Sequence, residues 1–272
     1  MMNISEEKRL AAMGLSPDRI RALLAERGVA WDVQVVYESE STNKDARAYY
    51  ERTGEGSAFF IADGQTSGRG RRGRSFVSPH GAGIYMSILL TGVGELGSLT
   101  SVTAFTAVAV ARAIEKVCGL RADIKWVNDI CYKGKKLGGI LTEGSLAEDM
   151  HTASYVIVGI GINVLRSELP EELTDVAASI EEMIGRPVDR GLLIAEIAAE
   201  FERGIKDFAS PEVVEEYRRR SYLVGREVTV HKLDGSYTAR VVGIGNDMSL
   251  RLLLPDGSTE NLITGEVSVR AK

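Results

Sequence analysis

Hydrophobic and polar positions fall into short blocks, some of period two and some of period three to four, punctuated by glycine. Residues 1–30 read as helical: Ser16-Pro17-Asp18 offers an N-cap with proline at the first helical position, and Ile20, Leu23 and Leu24 form one apolar stripe that stops at Gly28. Residues 31–37 alternate as a strand and run into the cluster from Ser39 to Asp45, which opens a helix over 46–51. The local pattern at Ser41, Thr42 and Asn43 favours simple N-capping. A strand over 57–63 delivers Gln65 to a glycine-arginine segment. Residues 84–90 alternate as a strand with one polar-leaning face, and 99–117 have the spacing of a long, largely buried helix.

Further along, strand-like residues 124–130 and 135–141 flank a hairpin turn at Lys133-Gly134. Residues 155–163 form a buried strand carrying Gly159 and Gly161 and ending on Asn163, where tight sheet packing and close ligand approach compete evenly. Residues 170–217 are helical and acidic and read as scaffold. Five short strands follow, over 227–231, 237–244, 249–254, 259–263 and 266–270, with turns at Asp234-Gly235, Gly245-Asn246-Asp247 and Asp256-Gly257. That pattern predicts a small β-barrel module beginning near 223–225.

The segment Gly68-Arg69-Gly70-Arg71-Arg72-Gly73-Arg74 stands out from this background. Glycine loses the most backbone entropy on ordering and neighbouring guanidinium groups repel, so the segment is expected to stay mobile until an anion gathers it. Three readings compete. A dinucleotide fingerprint needs a following helix and an acidic residue roughly 20 positions on, whereas here Ser75-Phe76-Val77-Ser78-Pro79 follows. An arginine-glycine nucleic-acid arm lacks the expected aromatic interleaving, and a solvated basic loop is the bland alternative.

Composition narrows the choice. The 272 residues are 44% hydrophobic and 26% charged, with 33 Lys+Arg against 38 Asp+Glu for a net charge of −5. A mildly acidic chain that gathers four arginines in one loop suits a local anion site better than a nucleic-acid surface. Cys118 and Cys131 fit no zinc spacing and are expected as buried free thiols in a reducing, cytoplasmic setting. The first residues lack the apolar core of a signal peptide, and the apolar run around 102–110 is too short to span a bilayer, so no membrane association is expected. His80, in a glycine turn, is expected to face solvent. Lys125, Asp129 and Lys136 lie inside apolar strands, where an unpaired charge costs several kcal/mol, which marks them for function. Lys135 reads instead as a guard on a strand edge.

Taken in order, Ser41-Thr42-Asn43, Gln65 through Arg74, the Lys125–Asp129 segment, Lys136 through Leu141 and Gly159 through Asn163 closely resemble the biotin protein ligase family. The resemblance implies an α+β fold: a mixed-sheet, class II synthetase-like catalytic domain over 31–223, an N-terminal helical extension over 1–30, and an SH3-like domain over 224–272. It also implies that biotin is joined to AMP, with Mg2+ accompanying ATP, and then passed to a lysine of a biotin carboxyl carrier domain. By the same resemblance Ser41, Thr42, Asn43 and Gln65 hold biotin. Arg69, Gly70 and Arg71 close over the ligand, and Gly68, Phe76, Gly138, Gly139, Gly159, Gly161 and Asn163 are further substrate-binding candidates. Lys136, Arg71 and Asp129 are the catalytic candidates, Arg74, Lys125, Trp126, Asn128 and Asp129 form the nucleotide side, and Asp129 is the candidate magnesium ligand. Two departures are visible. Phe76 stands where the family usually has tryptophan and Val127 where many members have proline, so packing on the adenylate is expected to be weaker. No winged-helix module is expected before residue 31, hence no operator binding, and a homodimer stays open. The alternatives are a lipoate–protein ligase, a DNA-binding regulator and a non-catalytic binder.

Overall fold

The computed structural model describes residues 4–92, 99–146, 153–167, 170–232, 235–263 and 265–269. The turn residue Asp234 and the strand end at Arg270 therefore lie outside the described residues. Helices α1 (Ile4–Ala12) and α2 (Pro17–Ala25) open the chain. Ser16 caps α2 by accepting from the Arg19 backbone N–H, with Pro17 at the first helical position. Their apolar residues Leu10, Leu15, Ile20 and Leu24 are buried in the main core. The extension thus shares the main core with the strands that follow.

A seven-stranded mixed sheet follows. Its first pair is β1 (Asp32–Ser39) and β2 (Ala58–Gln65), joined by α3 (Thr42–Thr53) and running parallel. Next come β3 (Gly83–Leu90), the long helix α4 (Leu99–Cys118), β4 (Asp123–Lys125), β5 (Asp129–Tyr132), β6 (Lys135–Leu146) and β7 (Ala153–Asn163). The strand order is β1-β2-β3-β7-β6-β5-β4, and every pair after the first is antiparallel. Lys133 and Gly134 both adopt positive φ at the expected β5–β6 turn, the backbone a two-residue hairpin needs.

The scaffold helices α5 (Ile180–Ile184), α6 (Arg190–Gly204) and α7 (Pro211–Arg220) complete this body. Strand β7 shows how the layers divide. Its even positions Val156, Val158, Ile160 and Ile162 join the large core that includes α4 and α6, whereas Tyr155 and Ile157 pack in a second cluster with α3. Beyond Ile157 that second face carries Gly159, Gly161 and Asn163, which the body of α3 leaves open. The polar-leaning face expected on β3 is not exposed: all eight positions are buried, Ser87 completely, because α3 and the loop after β2 cover it.

The C-terminal strands β8 (Glu227–Lys232), β9 (Gly235–Ile244), β10 (Leu250–Leu253), β11 (Thr259–Leu262) and β12 (Glu266–Val269) make one antiparallel sheet in the order β11-β10-β9-β8-β12. Arg218 fastens this module to the first body by donating to Ile244 O at 3.0 Å and Asn246 Oδ1 at 2.7 Å. Both cysteines are free and buried, and no helix among the described residues is long and apolar enough to cross a membrane.

One buried ion pair ties the strands to α6. Arg190 donates to Asp63 Oδ1 at 2.8 Å, to Gly83 O and to Met13 O, while Asp63 is 0% exposed. His80 is an exposed turn residue, as expected, and it also stacks on Tyr37 with Nδ1 3.1 Å from Asp63 Oδ2 and Nε2 3.1 Å from Glu38 Oε2. Arg190→Met is expected to leave Asp63 without its cation and cost about 3–5 kcal/mol in urea unfolding. A loss below about 1 kcal/mol would show the pair to be dispensable.

Candidate active site

The open half of the second sheet face holds two adjoining groups of side chains. The first is polar and buried. Ser41 occupies the N-cap position of α3 but makes no capping bond with its side chain, so the simple N-capping reading fails. The capping-type residues are spent on a network instead. Gln65 Oε1 accepts from the Thr42 backbone N–H at 2.9 Å, and Gln65 Nε2 donates to Ser78 Oγ at 3.1 Å. Ser87 Oγ lies 2.7 Å from Thr42 Oγ1 and 2.6 Å from Asn43 Oδ1, and Asn43 Nδ2 donates to Glu143 at 2.7 Å.

Two glycines make room for this arrangement. A Cβ on Gly159 would lie 2.4 Å from Asn43 Oδ1, and one on Gly161 would lie 2.7 Å from the Phe76 ring. Both glycines on β7 have a packing role: they seat the side chains of Asn43 and Phe76. Gly138 is likewise pressed against the Gly161 carbonyl, and Asn163 donates to Ala178 O at 3.4 Å.

The second group is charged. Lys136 donates to Asp129 Oδ1 at 2.5 Å, beside Gly139, where a Cβ would approach both side chains. Lys125 pairs with Asp129 across β4 and β5. Lys136 is further held by main-chain bonds to Val176 and Ala178, and Lys135 donates to Thr174 O rather than guarding an edge. Asp129 is drawn to Lys136, and among the described residues no group of three His, Cys, Asp or Glu could hold a metal ion. The donor set therefore fits no resident magnesium cage.

Between the groups lies the arginine segment. It is tied down more than its composition suggests: Gly70 N–H donates to Arg74 O, Phe76 N–H donates to Gly68 O, and Arg72 and Gly73 take positive φ at the reversal. Arg71 donates to Asn128 Oδ1 at 2.9 Å and reaches Gly265 O of the C-terminal module at 3.4 Å. Asn128 is itself braced on β6 by donating to Ile140 O. Arg69 and Arg74 are exposed on the loop rim.

Trp126 stands apart from its expected place on the nucleotide side. Its ring is buried, and Nε1 donates to Met248 O at 2.8 Å, so it serves as a buried link between the two modules. Sequence reasoning also passed over Ser87 and Glu143. Ser87 was signalled as the lone polar residue in an apolar strand. Glu143 was signalled only as the charge closing the run 137–142.

Cys131 sits at the edge of the charged group. Burial, reinforced by Asp129 and opposed by Lys125 and Lys136, pushes its thiol up to about 12. At neutral pH it stays a thiol, which keeps a nucleophile out of the site. Burial also raises the Asp123 carboxyl against the pull of Arg121, Arg220 and Arg226.

A mixed sheet beside a small β-module is the architecture this chain shares with proteins of the biotin/lipoate ligase class. The Biotin/lipoate A/B protein ligase family matches residues 38–163, and the Biotin protein ligase C terminal domain matches 223–270. The chain is 35% identical over 222 residues to the bifunctional ligase/repressor BirA of Bacillus subtilis, covering 80% of this chain and 68% of that protein. It is 31% identical over 252 residues to the biotin–[acetyl-CoA-carboxylase] ligase of Mycobacterium tuberculosis, covering 85% and 89%. The biotin protein ligase of Aquifex aeolicus, solved in complex with biotin and ATP, superposes with a TM-score of 0.76 at 29% identity, covering 89% of this chain and 99% of that one. This chain belongs to the biotin protein ligase family.

Gly161→Ala is expected to push Phe76 off β7 and cost about 1–3 kcal/mol of stability, as overpacking does. A crystal structure of the variant with Phe76 unmoved would refute that account of the glycine.

Proposed function

We propose that this chain activates biotin with Mg-ATP, releasing pyrophosphate to give biotinyl-5′-AMP, and then transfers the biotinyl group to one lysine of a biotin carboxyl carrier domain. The observation that carries this reading is the adjacency of a largely buried polar row, Thr42, Asn43, Gln65 and Ser87, and the Lys136 and Arg71 cations on one stretch of sheet. The row suits the polar ring of biotin. The cations suit the meeting of a carboxylate with a triphosphate, two anions that repel until positive charge is placed between them.

In this reading Thr42, Asn43 and Gln65, with Ser41, hold the ring, and Phe76 over Gly161 forms the apolar wall. A biotin carboxylate oxygen attacks the α-phosphorus in line and pyrophosphate leaves. Lys136 bridges the carboxylate and α-phosphate oxygens, so it holds the near-attack geometry and takes up charge as it develops. Arg71 leaves Asn128 to grip the adenylate, while Lys125, Asn128 and Arg74 face the nucleotide. Magnesium arrives with the triphosphate as part of the substrate, the usual habit of an ion that keeps most of its own waters. In the second half the carrier's amine attacks the acyl carbon, AMP departs with the electron pair of the broken C–O bond, and Asp129 accepts the proton. The loop over the mixed anhydride keeps water away meanwhile. A thiol held protonated at Cys131 is suited to that task, since a thiolate there would intercept the acyl group. The buried thiols also suit a reducing cytoplasm.

Helices α1 and α2 spend their apolar residues on the catalytic core, so they do not act as a DNA-reading pair in this proposal. A gel shift showing tight, sequence-specific binding by this chain would overturn that part.

Mixing the protein with biotin and Mg-ATP should give biotinyl-AMP by mass spectrometry, and lipoate in place of biotin should not give its adenylate. The opposite preference would move the chain to the lipoate ligases. Lys136→Ala is expected to lower the adenylation rate by about 10²–10³, the usual cost of one donor to developing charge. Arg71→Gly should release biotinyl-AMP and label bystander lysines, and labelling at the wild-type level would take retention away from Arg71.

A further inference from the structure

Glu143 closes the polar row of the site and has no part in the reading above. It lies on β6 opposite Ile157 of β7, two residues beyond the Leu141–Gly159 pair. One oxygen accepts from Asn43 Nδ2 at 2.7 Å, and the other lies 3.7 Å from the Arg47 guanidinium.

A carboxylate has no proton to give, so Asn43 must turn its NH2 to Glu143 and its carbonyl to Ser87. That carbonyl only accepts, so Ser87 spends its single proton across the 2.6 Å contact with Asn43 Oδ1. Ser87 Oγ is also 2.7 Å from Thr42 Oγ1. Between two hydroxyls either can donate, but the Ser87 proton is already used, and Thr42 has to supply this one. Gln65 Oε1 is then satisfied by the Thr42 backbone N–H at 2.9 Å, and the longer 3.2 Å approach of the Thr42 hydroxyl is left without a proton. Each group has one choice once its neighbour has made its own. The chain of choices begins at Glu143.

We propose that Glu143 is a positioning residue that sets the direction of every proton in the row Asn43–Ser87–Thr42, and with it the donor specificity of the pocket. With the protons all running toward Glu143, the lone pairs left over at Thr42 Oγ1 and Gln65 Oε1 form an acceptor surface. A cyclic urea brings ring N–H donors to such a surface. A ring that offers only acceptors finds no proton there. Glutamine at 143 can donate as well as accept, so Asn43 is free to flip and the row to reverse, which sets a Thr42 proton against a ligand N–H. This inference rests on the biotin-activating reading and adds to it a rule for which ring is taken.

The test is pyrophosphate release by the full chain, with biotin and ATP varied separately, for wild type, Glu143→Gln, Asn43→Asp and the double variant. Glu143→Gln is expected to raise KM for biotin about 10- to 100-fold, the cost of losing a hydrogen bond to a charged group. KM for ATP and kcat should stay within about twofold, as they would when only ring binding is lost. Asn43→Asp alone should also bind biotin poorly, since it sets two carboxylates against each other. In the double variant the amide introduced on β6 donates to one oxygen of the carboxylate introduced on α3, while the other oxygen still accepts from Ser87. The direction of the row is restored, and KM for biotin should fall at least about fivefold from that of Glu143→Gln, a coupling that independent sites do not show. Three results would overturn the proposal: an unchanged KM for biotin in Glu143→Gln, a joint rise of both KM values, or a double variant no better than Glu143→Gln. A Glu143→Gln chain that fails to fold would count against it too, because the proposal gives Glu143 no stabilising role that the matching amide lacks. Wild-type protein that makes no biotinyl-AMP would instead refute the underlying reading.

Discussion

The site depends on one strand being made oily on one side and bare on the other. On β7 the even positions are fully engaged in the main core, which fixes the register, because a one-residue slip would turn Val156, Val158, Ile160 and Ile162 away from that core. On the opposite face two successive positions, Gly159 and Gly161, have no side chain. Into that space α3 lowers Asn43 and the arginine segment lowers Phe76. The pocket floor is thus made of side chains from two distant stretches resting on a rigid sheet, a more accurate support than a loop alone would give.

Buried polarity is the second requirement, and the sheet meets it by completing the hydrogen bonds. Ser87 is wholly buried in the middle of an apolar strand, a placement that costs about 1–3 kcal/mol unless the hydroxyl is paired. Its contacts with Thr42 and Asn43 supply those partners. The same bonds hold the start of α3 against β3, so the network that orders the pocket also anchors the helix.

Much of this was legible in the chain. Alternating and apolar runs located β1, β2, β3, β6 and β7, and the turn residues separated the five strands of the C-terminal module. The one strand read over 124–130, however, is split by a turn at 126–128 into β4 and β5. Lys125, Asp129 and Lys136 stood out as charges in apolar strands, and all three meet on one face. What escaped was set by tertiary contact. Ser41, Thr42 and Asn43 carry the local signature of an N-cap, and nothing local says that Gln65, Ser87 and Glu143 will compete for them. Trp126 lies inside the charged segment, yet its ring turns to Met248, more than a hundred positions away and in another module. His80 is the exposed turn residue that the sequence suggests, but its partners Asp63 and Glu38 come to it only when β1 and β2 are paired. The mobility expected of the arginine segment was read from glycine content. In the structure the segment closes on itself through the Gly70–Arg74 and Gly68–Phe76 main-chain bonds, with positive φ at Arg72 and Gly73.

The two ion pairs divide the work by how deeply each is buried. Arg190 and Asp63 are almost wholly removed from solvent, and separating them exposes a bare charge to a low dielectric, so the pair behaves as part of the frame. Lys136 and Asp129 are 40% and 20% exposed. A pair so accessible is worth about 0–1 kcal/mol, because water competes for both partners. In the proposed reaction Lys136 can therefore give up Asp129 at little cost when a phosphate offers more charge. A deeper pair at this position would have held its lysine too tightly to respond, and a lysine with no partner would have stayed extended in solvent. The intermediate burial keeps the ammonium beside Gly139 and accessible to solvent, which suits the bridging role proposed for it.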